Sequence, residues 1–231
     1  MKWIDFHTHQ YEENTDVISI RNFSQQYFVE ASDLDGYGSA GLHPYWLDRT
    51  ELEMQFSRLT ILSQQPNIAL IGECGLDKTI DIPLNFQNEV FERQVLLAET
   101  VGKPVLVHCV KAFNEVVALK KKLTPAVPWV IHGFNNNANI LKTLIDNDLY
   151  ISMGTALFRS NSNAAKLIRQ IPAERLFLET DAKPVSIKKV YAVASEHLKI
   201  STEQLRRNIY QNFLTLRSAA SEVGQITFAK S

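Results

Sequence analysis

The 231-residue sequence has only two cysteines, Cys74 and Cys109, and no CxxC spacing. That scarcity excludes a disulfide scaffold and a cysteine-built zinc knuckle, and two thiols in apolar, strand-like contexts are expected to be buried and free. An excess of one charge is also missing: 24 Lys and Arg stand against 25 Asp and Glu, for a net charge of -1. No global basic footprint advertises nucleic acid, although a local groove does not need one. No apolar run approaches the roughly 18 residues of a spanning helix, and Met1-Lys2-Trp3-Ile4-Asp5 offers no export segment. The expectation is a soluble, cytoplasmic protein without a membrane partner. Low-complexity tracts and Gly/Ser linkers are absent, which points to a single domain over residues 1–231. With 45% hydrophobic and 21% charged residues the chain can bury a sizeable core, so disorder and collagen are excluded.

What is present is an alternation of short Val/Ile/Leu-rich runs with longer segments of helical period, the pattern of parallel strands joined by crossover helices. Eight strands are expected: Lys2 to Phe6, Asp16 to Ile20, Ser39 to Leu42, Ile68 to Gly72, Pro104 to His108, Pro128 to His132, Leu149 to Ser152 and Leu176 to Thr180. Helical periods run over Leu52 to Ser63, Asn85 to Val101, Ala112 to Leu123 and Ile140 to Asn147. A last helix opens at Ser201 with a Ser-x-x-Gln capping box and presents Leu205, Ile209, Phe213 and Leu216 on one face. The fold expected is α/β, a TIM-type (β/α)8 barrel. Its first βα unit is abbreviated, since Gln10 to Thr15 is too short for a crossover helix of roughly 10 to 12 residues. The only basic run, Lys120 to Lys122, is read as a solvated helix face.

Five of the six histidines fall at or just after a strand end: His7, His9, His43, His108 and His132. His197 lies in a helical stretch. In such a barrel the C-terminal strand ends form one rim, where active sites are built. His7 and His9 are two residues apart, so on an extended strand both imidazoles point the same way, about 6.6 Å apart along it. Further strand ends carry Glu73, His108, His132 and Asp181, at gaps of 35, 24 and 49 residues that fit one, one and two strand-helix units. Imidazole and carboxylate donors together suit zinc or manganese better than calcium or magnesium. Strand alternation turns Cys74 and Cys109, which follow Glu73 and His108, away from the pocket.

These residues sit in six motifs: Asp5-Phe6-His7-Thr8-His9, Gly41-Leu42-His43-Pro44, Gly72-Glu73-Cys74-Gly75-Leu76-Asp77, Pro104-Val105-Leu106-Val107-His108, His132-Gly133-Phe134 and Leu178-Glu179-Thr180-Asp181-Ala182. In this order the chain resembles the TatD-type metal-dependent deoxyribonucleases, within the amidohydrolase-like metal hydrolases. The resemblance implies a TIM-type barrel with two divalent cations at the strand ends, Zn2+ or Mn2+ by donor chemistry, with Mg2+ compatible. It implies that His7, His9 and Asp181 bind one metal, that Glu73 bridges, and that His108 and His132 bind the other. The activity it implies is hydrolysis of phosphodiester bonds in DNA, often as a 3'-to-5' exonuclease, with DNA as the substrate partner.

Within that reading Asp181 orients or deprotonates the attacking water. His43, outside the ligand set, would hydrogen-bond a phosphate oxygen or protonate the leaving group. Asp5 and Glu179 share strand parity with His7 and Asp181 and are expected to fix ligand orientation. Tyr45 and Trp46 are candidates for stacking on a base, and Asn135, Asn136 and Asn137 for substrate contact. Two departures stand out. Val110, followed by Lys111, occupies the place of the family's usual arginine, and a lysine lacks the bidentate fork. After Asp181-Ala182 the chain reads Lys183-Pro184-Val185 and moves quickly into its last helices. The alternative is a metal-dependent hydrolase of a small amide, ester or phosphate.

Overall fold

The computed structural model describes residues 1–10, 15–31 and 34–228. Among the described residues eight strands follow one another: β1 (Trp3–Thr8), β2 (Val17–Ser24), β3 (Tyr37–Gly41), β4 (Ile68–Asp77), β5 (Val105–Val110), β6 (Trp129–Ile131), β7 (Tyr150–Met153) and β8 (Leu176–Leu178). Their order in the sheet is their order in the sequence. The α-helices that join and follow them among the described residues are α1 (Phe28–Ala31), α2 (Leu52–Ser63), α3 (Leu84–Val101), α4 (Phe113–Leu123), α5 (Ala138–Asp146), α6 (Asn163–Leu167), α7 (Ile187–Leu198) and α8 (Thr202–Phe228). Of the expected β1 to β2 connection, residues 11–14 lie outside those described. The chain divides into two compact units, one of Met1–Arg21 with Val130–Leu216, the other of Asn22–Trp129 with the chain from Arg217.

In the first unit β1 pairs in parallel with the start of β2, and β6, β7 and β8 pair in parallel in succession. Beyond β8 the chain returns to β1: Thr8 and Asp181 form a parallel bridge, with Asp181 N–H donating to His7 C=O at 2.9 Å. Phe6 stacks on Phe177 with centroids 4.0 Å apart. The fully buried Tyr191 of α7 donates from its hydroxyl to Ile4 C=O and accepts from Ile4 N–H, which ties the helix to β1. Burial pushes that phenol far up, so it stays a neutral donor. Leu205, Ile209, Phe213 and Leu216 are buried along α8, on the face their spacing predicts.

In the second unit β3, β4 and β5 pair in parallel, and the core gathers Phe23, Leu42, Leu59, Ile68, Phe86 and Val90. Every residue of β4 is buried. This strand runs five residues past its expected end at Gly72, because β5 also continues, and Gly75, Leu76 and Asp77 pair with His108, Cys109 and Val110. Two β4 glycines make that closeness possible: a Cβ on Gly72 would fall onto the Leu106 carbonyl oxygen, and one on Gly75 onto that of His108. Both have φ near +140° (138° and 143°), which side-chain-bearing residues rarely adopt. Backbone groups at strand ends are met by buried glutamines. Gln94 of α3 accepts from Leu42 N–H and donates to Leu42 C=O. Gln87, two turns away on α3, does the same for Asp77.

Candidate metal centre

In the first unit the end of β1 and the turn after β8 bring His7, His9 and Asp181 together, with one donor atom from each within 4.8 Å of the others. His7 is fully buried, one residue before the end of β1. His9 lies beyond the end of β1 rather than on one extended strand with His7 as expected. Its N–H donates to Asp181 C=O, and its ring meets that of His7 edge-on at 5.0 Å. Asp181 has φ +54°, an uncommon value outside glycine, held by the two main-chain bonds to β1 and beyond it. His7 Nε2 and His9 Nε2 lie 3.5 and 3.4 Å from Asp181 Oδ1. The His132 ring lies 4.6 Å from that of His7.

Two further carboxylates lie beside these donors. Glu179 is fully buried; its Oε1 accepts from Gly133 N–H at 2.7 Å and lies 3.5 Å from His132 Nδ1, and its Oε2 accepts from Ser152 Oγ. Asp5 accepts from both the N–H and the hydroxyl of Thr180, the residue before Asp181. Burial pushes the Asp5 carboxyl up to about 7 against those two hydrogen bonds; the Glu179 charge pushes the same way and His7 pulls back.

In the second unit His43, Glu73 and His108 form a group with donor atoms within 4.8 Å. His43 Nε2 lies 3.1 Å and His108 Nδ1 2.8 Å from Glu73 Oε1. His43 caps the short 3-10 turn Pro44–Trp46, its Nδ1 accepting from Tyr45 N–H, so the neutral ring carries its proton on Nε2, toward Glu73. Asn22, on β2 beyond its expected end, accepts from Glu73 N–H and donates to Glu73 Oε2, and its own Oδ1 also accepts from Ser39. Asp77 Oδ2 lies 3.2 Å from His108 Nε2, on the nitrogen opposite Glu73. Burial alone would raise the Asp77 carboxyl, but hydrogen bonds from Thr79 and His108 leave it below the usual range, a standing anion beside the imidazole.

A known family matches most of the chain, from a point after His7 and His9 onward. The family described as TatD related DNase matches over residues 15–218. The chain belongs to it. An exonuclease from Edwardsiella piscicida named 3'-5' ssDNA/RNA exonuclease TatD is 35% identical over 150 residues, 63% of this chain and 57% of that protein. A Bacillus subtilis protein named as the uncharacterized metal-dependent hydrolase YabD is 32% identical over 149 residues, 63% of this chain and 58% of its own. The match thus spans a little over half the length of these relatives. Among solved structures, the TatD homolog YjjV of Escherichia coli superposes with a TM-score of 0.79 at 20% identity, over 93% of this chain and 97% of that one. A TatD family hydrolase of Entamoeba histolytica does so with a TM-score of 0.75 at 16% identity, over 94% and 98%. The fold is the TIM-type (β/α)8 barrel.

Three residues of this TatD-family chain escape the sequence reading: Asn22, Gln25 and Asp77. Asp77 had a signal, since it shares the parity of Glu73, but that parity counts only if β4 continues. Gln25 accepts from His43 N–H at 2.8 Å and donates to His43 C=O at 3.2 Å; an isolated amide carries no period that could announce it. The asparagines after β6 also hold local structure: Asn137 caps α5, Asn135 accepts from Ala164 N–H and Asn136 from Asn137 N–H. The cysteines stay outside every donor group. Cys74 is buried and its thiol pushed far up; burial also lifts Cys109, to about 12. Lys122 pairs with Glu92 on an exposed face, as expected of the basic run. Among the described residues no helix is long and apolar enough to cross a membrane.

Proposed function

We propose that the chain is a metal-dependent nuclease that hydrolyses phosphodiester bonds of single-stranded nucleic acid from the 3' end, using two divalent cations. The carrying observation is the donor geometry. Four ligands placed about 2.0 to 2.1 Å from a tetrahedral zinc lie about 3.3 Å from one another. His7 and His9 stand 3.5 and 3.4 Å from the same Asp181 oxygen, close to that spacing. The residues present therefore fit a cation of the zinc and manganese class, held by His7, His9 and Asp181; a second cation with His108 and His132 as ligands is what the family resemblance implies. Glu73 is given the shared carboxylate role by the family resemblance. The bound ions would lower the pKa of a coordinated water and offset charge on the phosphoryl oxygens.

The chain's own groups supply the rest. Asp181 takes the proton of the attacking water, its carboxylate presented by the left-handed backbone at that position. His43, whose Nε2–H faces Glu73, is assigned a hydrogen bond to a phosphate oxygen, and the departing oxygen takes its proton from solvent water. Glu179 and Asp77 hold the imidazoles of His132 and His108 in one orientation. The relatives named as exonucleases of ssDNA and RNA favour a nucleic-acid substrate. They are matched over little more than half their length, so the substrate is part of this proposal.

The test is incubation of metal-loaded protein with 3'-labelled single-stranded DNA and RNA, beside small esters, amides and phosphomonoesters. Release of 3' mononucleotides, abolished by chelation and reduced at least a hundredfold in Glu73→Ala, is expected. Turnover of small substrates alone would replace the reading with that of a small-molecule hydrolase.

A further inference from the structure

The two segments that carry His7, His9 and Asp181 also carry two threonines, Thr8 and Thr180, with no part in the chemistry proposed for the centre. Both are buried, at 3% and 4% exposure, and so is Asp5. Thr180 Oγ1 donates to Asp5 Oδ2 at 2.7 Å, and the Thr180 N–H donates to Asp5 Oδ1 at 2.9 Å. Thr180 Oγ1 also lies 3.0 Å from Thr8 Oγ1. A hydroxyl has one proton, so with its own given to Asp5 the Thr180 oxygen accepts from Thr8. Thr8 Oγ1 in turn accepts from Gln10 N–H at 3.2 Å. One chain of hydrogen bonds therefore runs from Gln10 through Thr8 and Thr180 to Asp5, wholly within the first unit.

Its place in the sequence couples it to the donors. Thr8 stands between His7 and His9, and Thr180 directly precedes Asp181. Asp181 sits at φ +54°, which an aspartate keeps only where surrounding bonds hold it. Two main-chain bonds do part of this: Asp181 N–H to His7 C=O at 2.9 Å and His9 N–H to Asp181 C=O at 3.2 Å. The His9 and Asp181 side chains are 41% and 40% exposed, so water competes on that side of the turn. The linked hydroxyls lie on its dry side, where a hydrogen bond is stronger and an unmet group more costly.

We infer that Thr180 and Thr8 are positioning residues for the cation assigned to His7, His9 and Asp181. Their linked hydroxyls hold the Asp181 turn against the end of β1, which sets Asp181 Oδ1 at 3.5 and 3.4 Å from His7 Nε2 and His9 Nε2. Without the Thr180 hydroxyl the turn relaxes toward negative φ and carries that oxygen away from the imidazoles. The inference rests on the cation reading of these three donors and not on the nucleic-acid substrate.

The experiment titrates cobalt(II) into chelator-treated full-length protein, followed by calorimetry and by visible absorption, so no turnover is needed. The binding step lost in His9→Ala marks the site concerned. Thr180→Val keeps the shape and loses the hydroxyl; it is expected to weaken that step about tenfold or more and to alter the absorption bands of the cobalt still bound. Thr180→Ser restores the hydroxyl and should bind within about twofold of wild type. Thr8→Val weakens the same step, and the double variant Thr8→Val with Thr180→Val stays within about threefold of the weaker single, because two links of one chain do not add. Chemical unfolding in chelator separates lost stability from lost positioning. A Thr180→Val protein that unfolds more readily yet binds cobalt as wild type does, with the same bands, overturns the inference, as does a Thr180→Ser protein as weak as the valine variant. Where Thr180→Val does not fold, Thr8→Val carries the same prediction. Wild-type protein that binds no cobalt overturns the inference together with the metal centre. If binding falls as expected in a protein that cleaves no oligonucleotide, the positioning role stands and the nuclease reading alone fails.

Discussion

Asp77 shows how a single carboxylate can matter without touching substrate. Thr79 engages its Oδ1 by both N–H and hydroxyl, and its Oδ2 faces His108 Nε2. Asp77→Asn keeps the shape and removes the charge, so manganese affinity measured by calorimetry should fall about 10- to 100-fold, while the folded signal is retained. Unchanged affinity would mean that His108 needs no such partner. Gly75 is decided by space alone: Gly75→Ala sets a methyl against the His108 carbonyl at φ +143° and should cost at least about 2 kcal/mol in denaturant unfolding. At this scale the sequence was legible where a residue type declares its chemistry, as the histidines, Glu73 and Asp181 do. It was illegible for Asn22 and Gln25, whose roles come from which backbone groups the fold leaves beside them.

At the scale of elements, periodicity located α3 and the buried face of α8, while strand lengths were the weak point. β4 gains five residues because β5 offers it a continuing ladder, a tertiary effect that no local pattern encodes. Helix caps are local and testable. Asn137 Oδ1 accepts from Ile140 N–H at the start of α5, so Asn137→Ala should destabilise the protein by about 1 kcal/mol without altering cleavage. Beyond α3, Lys103 donates to Ser63 C=O and Gln65 C=O. Burial, then the charge of Arg217, lowers its ammonium to about 8. Between about pH 8 and the ordinary lysine range the unfolded chain holds a proton that the folded one has shed, so stability contributed at this site rises with pH. Relative to Lys103→Met, wild-type stability should therefore increase from pH 8 to pH 10 in chemical unfolding; a constant difference would place its pKa at the ordinary value.

For the whole molecule, eight strand-like runs separated by helical periods were enough to read a barrel, since few folds take parallel strands in chain order. What that pattern could not convey is that compact packing joins distant segments, as Phe6 with Phe177 and Tyr191 with Ile4 join the two ends of the first unit. Ligands on such segments hold them together when an ion is bound, and saturating metal should stabilise the fold by about 3 kcal/mol. Chelation should then lower the melting temperature by roughly 5 to 10 °C. The most direct measurement is the number of divalent ions per chain, by elemental mass spectrometry of protein equilibrated with zinc or manganese and freed of excess. The account predicts close to two ions, dropping below one when His7 and Glu73 are both replaced by alanine. A wild-type value well below one would contradict it.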